Sequence, residues 1–347
     1  MNKLPQWTLI IIILFVFSCG KEKQKTDKDL IFHDHIGNGV NEGFIHRASS
    51  FTSDRTNYLY VDDSGQNYII QYDLDGNFMR TIGRRGKGPG EFPSSNILTD
   101  VKDSLIFVSD LSGFRVSIFD TSGVFKSSFI TEKRYKSRFF AHDSVLITSF
   151  GGFDFERDLK DKYQFDKFDM KGNLVSQFAR HPITDNTNTY PTKFFFSRKK
   201  VSNGLLHVAY VYIPLYQIYD IQSERLLYEF HLRDLEGFET IEEQIQLGGD
   251  QPETILKSMK NLRTYVSYLD VVDNQVFIMH GSFPEFTIRH FRLRKGNLHH
   301  INSYSSSLES LNSKGILQFM YIPKKEQFYF LHYHQTEGFV VSVFNHK

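Results

Sequence analysis

The sequence predicts an all-β protein, a six-bladed β-propeller with four-stranded blades, and three observations predict it. A short aromatic-plus-polar signature recurs six times at roughly fifty-residue intervals. Aromatic residues make up 15% of the chain, with 34 Phe and 18 Tyr against one Trp. They sit in short runs with Val, Ile and Thr, the side chains that fit a pleated surface. Finally, the sixth unit stops one strand short, while the N-terminal segment carries one strand too many.

The signature reads Tyr72-Asp73, Phe119-Asp120, Phe168-Asp169, Tyr219-Asp220, Phe291-Arg292 and Phe344-Asn345, with one stretched interval between the fourth and fifth copies. In the first unit, strands are expected near Phe51 and over 58–62, 68–72 and 78–82, with Asp75-Gly76-Asn77 turning between the last two. Gly123 and Gly172 fall at the matching turn of units two and three, where a tight hairpin needs positive φ. Four short strands in about fifty residues is one propeller blade.

The sixth unit ends at Phe344-Asn345, just after its third strand. Near the N-terminus, Asp34-His35-Ile36-Gly37 followed by Gly43-Phe44 mimics Arg80-Thr81-Ile82-Gly83 followed by Glu91-Phe92, the fourth strand of unit one and its exit loop. Residues 31–37 are therefore expected to pair with the last blade, closing the ring and covering an edge that would invite aggregation.

Ahead of the ring, Lys3 precedes an apolar run from Trp7 to Phe17. At about eleven residues the run is too short to span about 30 Å of hydrocarbon, and it reads as a signal-peptide core. Residues 21–29 are charged and poor in apolar side chains, so they are expected to form a tether. The expected organisation is a signal peptide over 1–18, a tether over 19–29 and the propeller over 30–347. A short helical insertion at about 250–264 opens at Asp250-Gln251-Pro252-Glu253, an acidic start with Pro in the first turn. Cys19 is the only cysteine, which leaves no intrachain disulfide to support the fold.

Ser18-Cys19-Gly20 resembles a bacterial lipobox. The exit loop Ile82-Gly83-Arg84-Arg85-Gly86-Lys87-Gly88-Pro89-Gly90-Glu91-Phe92 and the strands Tyr60-Val61-Asp62 and Phe107-Val108-Ser109-Asp110 resemble NHL-repeat-type six-bladed β-propeller lipoproteins of Bacteroidota. The resemblance implies cleavage before Cys19, acylation of its thiol, and a lipid-anchored place in the cell envelope, at the outer membrane or cell surface. Several acyl chains hold a soluble domain on a membrane stably, where one would not. The resemblance carries no assigned activity.

Function is less legible. The 41 basic and 40 acidic side chains remove the whole-molecule electrostatic argument for a nucleic-acid binder. In an antiparallel four-stranded blade, the loops from strand four to the next strand one and from strand two to three emerge on one side. The irregular segments fall in that set, including 83–90, 131–138, 151–162, Arg180 to Thr189 and 232–264, so this rim is where binding is expected. Arg84, Arg85, Lys87, Lys133, Arg134, Lys136 and Arg138 make it a candidate surface for an anionic ligand, diluted by nearby acids such as Glu132 and Asp154. The glycine loop offers backbone N–H groups to an anion, but it lacks the Gly-Lys-Ser/Thr ending of a P-loop and reads chiefly as a connector between blades.

Among the 14 histidines, His332 and His334 share a strand face, and His207 and His280 lie on second strands of other blades. No H-E-x-x-H spacing is present, so these are expected to be packing histidines with no metal site. Asp63 and Asp110 occupy equivalent repeat positions and are expected to cap turns. No nucleophile-elbow, zincin or dinucleotide-binding motif is found. The expected function is a non-catalytic binding or interaction propeller that needs no cofactor and presents its rim to a glycan, peptide or envelope protein. The alternative is a propeller enzyme, a metal-assisted lyase or hydrolase acting on saccharide or peptide near the axis.

Overall fold

A computed structural model describes residues 27–38, 42–130, 138–149, 163–180, 197–235, 238, 264–281 and 284–346. Strand β1 (Asp27–Ile36) precedes the ring. Blade 1 is β2 (Ala48–Ser53), β3 (Tyr58–Asp63), β4 (Tyr68–Asp73) and β5 (Phe78–Ile82), and blade 2 is β6 (Ile97–Lys102), β7 (Leu105–Asp110), β8 (Arg115–Asp120) and β9 (Phe125–Ile130). Blade 3 comprises β10 (Phe139–His142), β11 (Val145–Ser149), β12 (Tyr163–Asp169) and β13 (Leu174–Arg180). Blade 4 comprises β14 (Ser197–Ser202), β15 (Leu205–Tyr210), β16 (Leu215–Asp220) and β17 (Leu226–His231). Blade 5 holds β18 (Tyr268–Val272), β19 (Gln275–His280), β20 (Glu285–Arg294) and β21 (Asn297–Ser307). Blade 6 is built from β22 (Ser313–Ile322), β23 (Gln327–His334), β24 (Gly338–His346) and β1.

The first strand of every blade contacts the first strands of both neighbours, β2 to β6, β6 to β10, and so on round to β22 and back to β2, which places these six strands around the axis. Apolar clusters fill each of the six seams between blades. Blade 1 meets blade 2 through Tyr60, Ile69, Ile106 and Phe119, and the ring-closing seam joins Phe51 and Leu59 to Met320, Tyr329 and Val341. The other four seams are packed in the same manner. The alternation of a strand lets both of its faces meet a neighbouring blade, which is why the middle strands are buried almost throughout.

Ring closure follows the expected scheme and extends it. Leu30 to Ile36 pair antiparallel with β24, from Leu30 opposite His346 to Ile36 opposite Val341, with an irregularity between Phe32 and Asp34. The strand starts earlier than the sequence suggests. Asp27 to Asp29, assigned to the tether, pair in parallel with Ser303 to Ser305 of β21. The closing strand thus joins blades 5 and 6 into one eight-stranded sheet.

The repeated Asp of the signature has a local cause. Asp73 Oδ1 accepts from the backbone N–H of Asp75 and Asn77, each at 2.9 Å. Asp120 does the same for Ser122 and Val124 at 3.0 Å, and Asp169 for Lys171 at 2.8 Å and Asn173 at 2.9 Å. Each cap holds a hairpin whose glycine has positive φ, +87° at Gly76, +85° at Gly123 and +86° at Gly172. Asp63 and Asp110 also cap turns as expected. Asp63 takes the N–H groups of His46, Arg47 and Gly65, and Asp110 those of Ser112 and Gly113.

Candidate functional site

The first strand of a blade has no partner on its axial side, so its N–H groups there need acceptors. Side chains of the preceding blade supply them. Thr99 N donates to Asp62 Oδ2 at 3.0 Å, Ala141 N to Asp100 Oδ2 at 2.9 Å, Tyr321 N to Asp270 Oδ2 at 2.8 Å and Phe51 N to Gln318 Oε1 at 3.3 Å. The hydroxyls of Ser50 and Thr99 add short bonds to Asp62. Burial raises the Asp62 and Asp100 carboxyls above their ordinary range, although Arg138 and these hydrogen bonds oppose the shift. The buried acids near the axis are thus committed to stitching one blade to the next.

Beside this stitching lies an axial funnel with a cavity volume of about 520 Å3. It is lined from all six blades, for example by Thr56, Lys102, His142, Lys200, Asp273 and Lys324. These residues belong to the ends of first strands and to the turns that lead into second strands. The funnel therefore opens on the face opposite the loop set singled out from the sequence.

Arg55 organises one wall. It sits in the turn between β2 and β3 with φ of +64°, a left-handed conformation unfavourable for a residue with a Cβ. From there its guanidinium reaches Asp270 of blade 5, with Nη1 donating to Oδ2 at 2.9 Å and Nη2 to Oδ1 at 2.6 Å. Nη1 also donates to Tyr321 O of blade 6 at 2.5 Å. Lys200 Nζ lies 3.4 Å from Asp270 Oδ1. Burial alone would raise the Asp270 carboxyl, but Arg55 and Lys200 outweigh it and hold the group below its ordinary range. Burial, reinforced by Arg55 and Arg138 and opposed by Asp270 and Asp100, pushes the Lys200 ammonium down to about 8.

The basic residues expected on the rim take separate roles. Arg84 pairs with Glu91 at 2.8 Å, and Glu91 Oε2 also accepts from Gly88 N at 2.8 Å. The concavity of the glycine loop is therefore filled by the loop's own carboxylate. Arg85 and Lys87 are exposed. Arg138 turns inward, donating from Nη2 to Ser50 Oγ at 2.8 Å. Cys19, Lys133, Arg134, Lys136, the 151–162 and 181–189 loops and the 250–263 stretch lie outside the described residues.

The four histidines singled out in the sequence, His207, His280, His332 and His334, are buried. His207 Nδ1 meets the Tyr216 hydroxyl at 2.7 Å, and His280 stacks obliquely on Phe238. His332 and His334 do share a face, with ring centroids 6.1 Å apart, and β1 brings His35 within 4.9 Å of His334. Ser342 Oγ joins His332 and His35 at 2.6 and 2.8 Å. Burial holds His207, His280 and His332 down at about 3, so all three are neutral at physiological pH. Among the described residues no group of three or more His, Cys, Asp or Glu side chains is arranged to hold a metal ion.

The sequence carries a signal for the funnel that loop length does not reveal. Asp100, Lys200 and Asp270 are charged residues inside first strands, a costly place for charge unless it is paired.

A family model described as a 6-bladed beta-propeller matches residues 53–285. Two solved structures share the fold over nearly their whole length. One is a "putative exported protein" from Bacteroides fragilis, at 11% identity and a TM-score of 0.59, covering 93% of this chain and 96% of that one. The other is a member of the DUF4221 family from Bacteroides vulgatus, at 10% identity and a TM-score of 0.61, covering 93% and 99%. No curated protein matches the sequence.

Proposed function

Because the chain belongs to DUF5128, a family of six-bladed β-propellers, we propose that it is an exported, non-catalytic binding propeller that takes a polar ligand in its axial funnel. The carrying observation is the 520 Å3 cavity to which every blade contributes. A concave site with convergent polar groups on a rigid scaffold is where small ligands are usually taken. The lining mixes Lys102, Lys200 and Lys324 with Asp100, Asp103 and Asp273, which suits a hydroxyl-rich or zwitterionic group, as on a glycan or peptide, better than a polyanion. The non-catalytic reading is supported by the prior commitments of Asp62, Asp100 and Asp270, each of which already accepts a backbone N–H group of the next blade.

An envelope location with a lipid at Cys19 is part of the same proposal. It is supported by the apolar run and lipobox-like residues of the sequence and by the fold shared with the Bacteroides fragilis protein. Intact-mass analysis of the membrane-extracted protein tests it. The expected product starts at an acylated Cys19, and an unmodified Cys19 or an intact leader would refute it.

Glycan and peptide arrays probed with the soluble ring test the funnel. Thr56→Trp places bulk at the exposed lip and is expected to abolish binding, whereas Arg84→Glu with Arg85→Glu is expected to leave it intact. The reverse pattern would move the ligand to the opposite rim, as the sequence first suggested.

A further inference from the structure

We propose that Lys200 is a nucleophilic amine on the funnel wall that condenses reversibly with the aldehyde group of a bound ligand, such as the open-chain reducing end of a saccharide. The inference rests on the funnel reading only in that the ligand must reach the wall.

Three lysines line the funnel, and they differ in kind. Lys102 is 41% exposed and pairs with Asp103 at 3.2 Å, while Lys324 Nζ donates to Thr56 O at 2.8 Å near the lip. Lys200 is drawn into the wall, its side chain only 14% exposed. The carboxylate nearest to it, Asp270, already receives both arms of the Arg55 guanidinium.

The charged groups that face Lys200 come from four places: Asp270 on β18, Asp100 on β6, Arg55 in the β2–β3 turn and Arg138 just before β10. Two permanent guanidinium charges beside a desolvated amine favour its neutral form, and the value near 8 agrees with that geometry. Lys200 is still largely a cation at pH 7, but an amine that gives up its proton near pH 8 beside open cavity space is the arrangement that Schiff-base chemistry requires.

In the condensation, the Lys200 nitrogen adds to the carbonyl carbon as its surplus proton passes to water in the funnel. That water returns the proton to the new alkoxide, and the carbinolamine so formed takes up one further proton and expels its hydroxyl as water, so one aldehyde, one amine and one proton yield one protonated imine and one water. Asp270, at 3.4 Å from the amine, balances the charge of the protonated imine.

Reductive alkylation of the wild-type protein with limiting propanal and cyanoborohydride, followed by peptide mass mapping, tests the assignment. At pH 7 Lys200 is expected to be modified about tenfold faster than Lys102 and Lys324. The neutral-fraction advantage of a lowered pKa is larger than that, but lower nucleophilicity and burial offset part of it. Its rate is expected to reach half its maximum near pH 8. Modification of Lys200 no faster than that of the two lip lysines, or a rate still climbing toward pH 10, overturns the proposal. Either result leaves the funnel reading to be judged separately, by the effect of Thr56→Trp on array binding.

Discussion

The guanidinium of Arg55 and the carboxylate of Asp270, 215 residues apart in the chain, meet across the axial region as a two-armed ion pair with a closest distance of 2.6 Å. The pair connects blades 1 and 5, which are not neighbours, and it passes blade 6 by hydrogen bonds to both backbone groups of Tyr321. Arg55→Ala leaves Asp270 fully buried with Lys200 as its remaining cation. The expected cost is about 3 kcal/mol, because removing one partner of a buried pair strands the other. Urea denaturation reads it, and a loss below about 1 kcal/mol would class the pair with ordinary surface bridges. Arg55→Lys, which cannot make both bonds, is expected to recover only part of the loss.

Lys200 also imposes a pH response on stability. Its proton affinity falls on folding, from 10.5 to about 8, so within that window the unfolded chain binds more protons than the folded one. Stability contributed through this group therefore rises with pH between the two values. The urea midpoint of the wild type, relative to Lys200→Met, is expected to increase from pH 7 to pH 9.5. Parallel behaviour of the two proteins would show an ordinary amine.

The buried acids act in the opposite direction. Asp62 and Asp100 have raised affinities in the folded state, so the stability they contribute is complete below the ordinary value of 3.8 and declines as pH rises through their higher folded values. Asp62→Asn removes that decline, so its stability relative to the wild type is expected to climb as pH rises above 4, while Glu91→Gln, in the glycine loop, is expected to show the opposite trend. A relative stability of Asp62→Asn that fell over that range would contradict the assignment.

Gly83 has φ of +74°, and a Cβ there would stand 2.2 Å from Cε2 of the fully buried Phe92. Gly83→Ala is expected to destabilise the ring by about 2 kcal/mol or more, through backbone strain and displacement of a packed ring. Phe92→Ala combined with Gly83→Ala should then cost less than the sum of the single changes. Strict additivity would mean that the two positions do not collide.

How much of this was legible depends on the range of each interaction. The Asp of the repeated signature bonds N–H groups two and four residues ahead, so its cause and its trace in the sequence coincide at Asp73, Asp120 and Asp169. Ring closure was legible because a missing strand at one end matched a surplus strand at the other. The funnel was not, because its organising contacts join residues far apart. Nothing near Arg55 announces Asp270, and the left-handed φ that aims its side chain is set by the turn's place in the fold. Loop length drew attention to one face, whereas the cavity is made by short turns on the other. Arg138 shows the same limit, since a basic residue beside a basic stretch reads as surface until Ser50 is seen to receive it.

The pairing of Leu30 with His346 sets an order of events during biosynthesis. The first strand of the ring to be made waits for its β24 partner, because that partner lies some three hundred residues later in the chain. Until then β24 has no partner along one edge, and the two strands must be brought together against the loop-closure entropy of the whole ring between them. Closure is thus a late, non-local step. Two unfinished rings held close together could exchange closing strands and emerge as an interlocked dimer. Local crowding, more than the strength of any blade, would then govern how much protein matures as single rings.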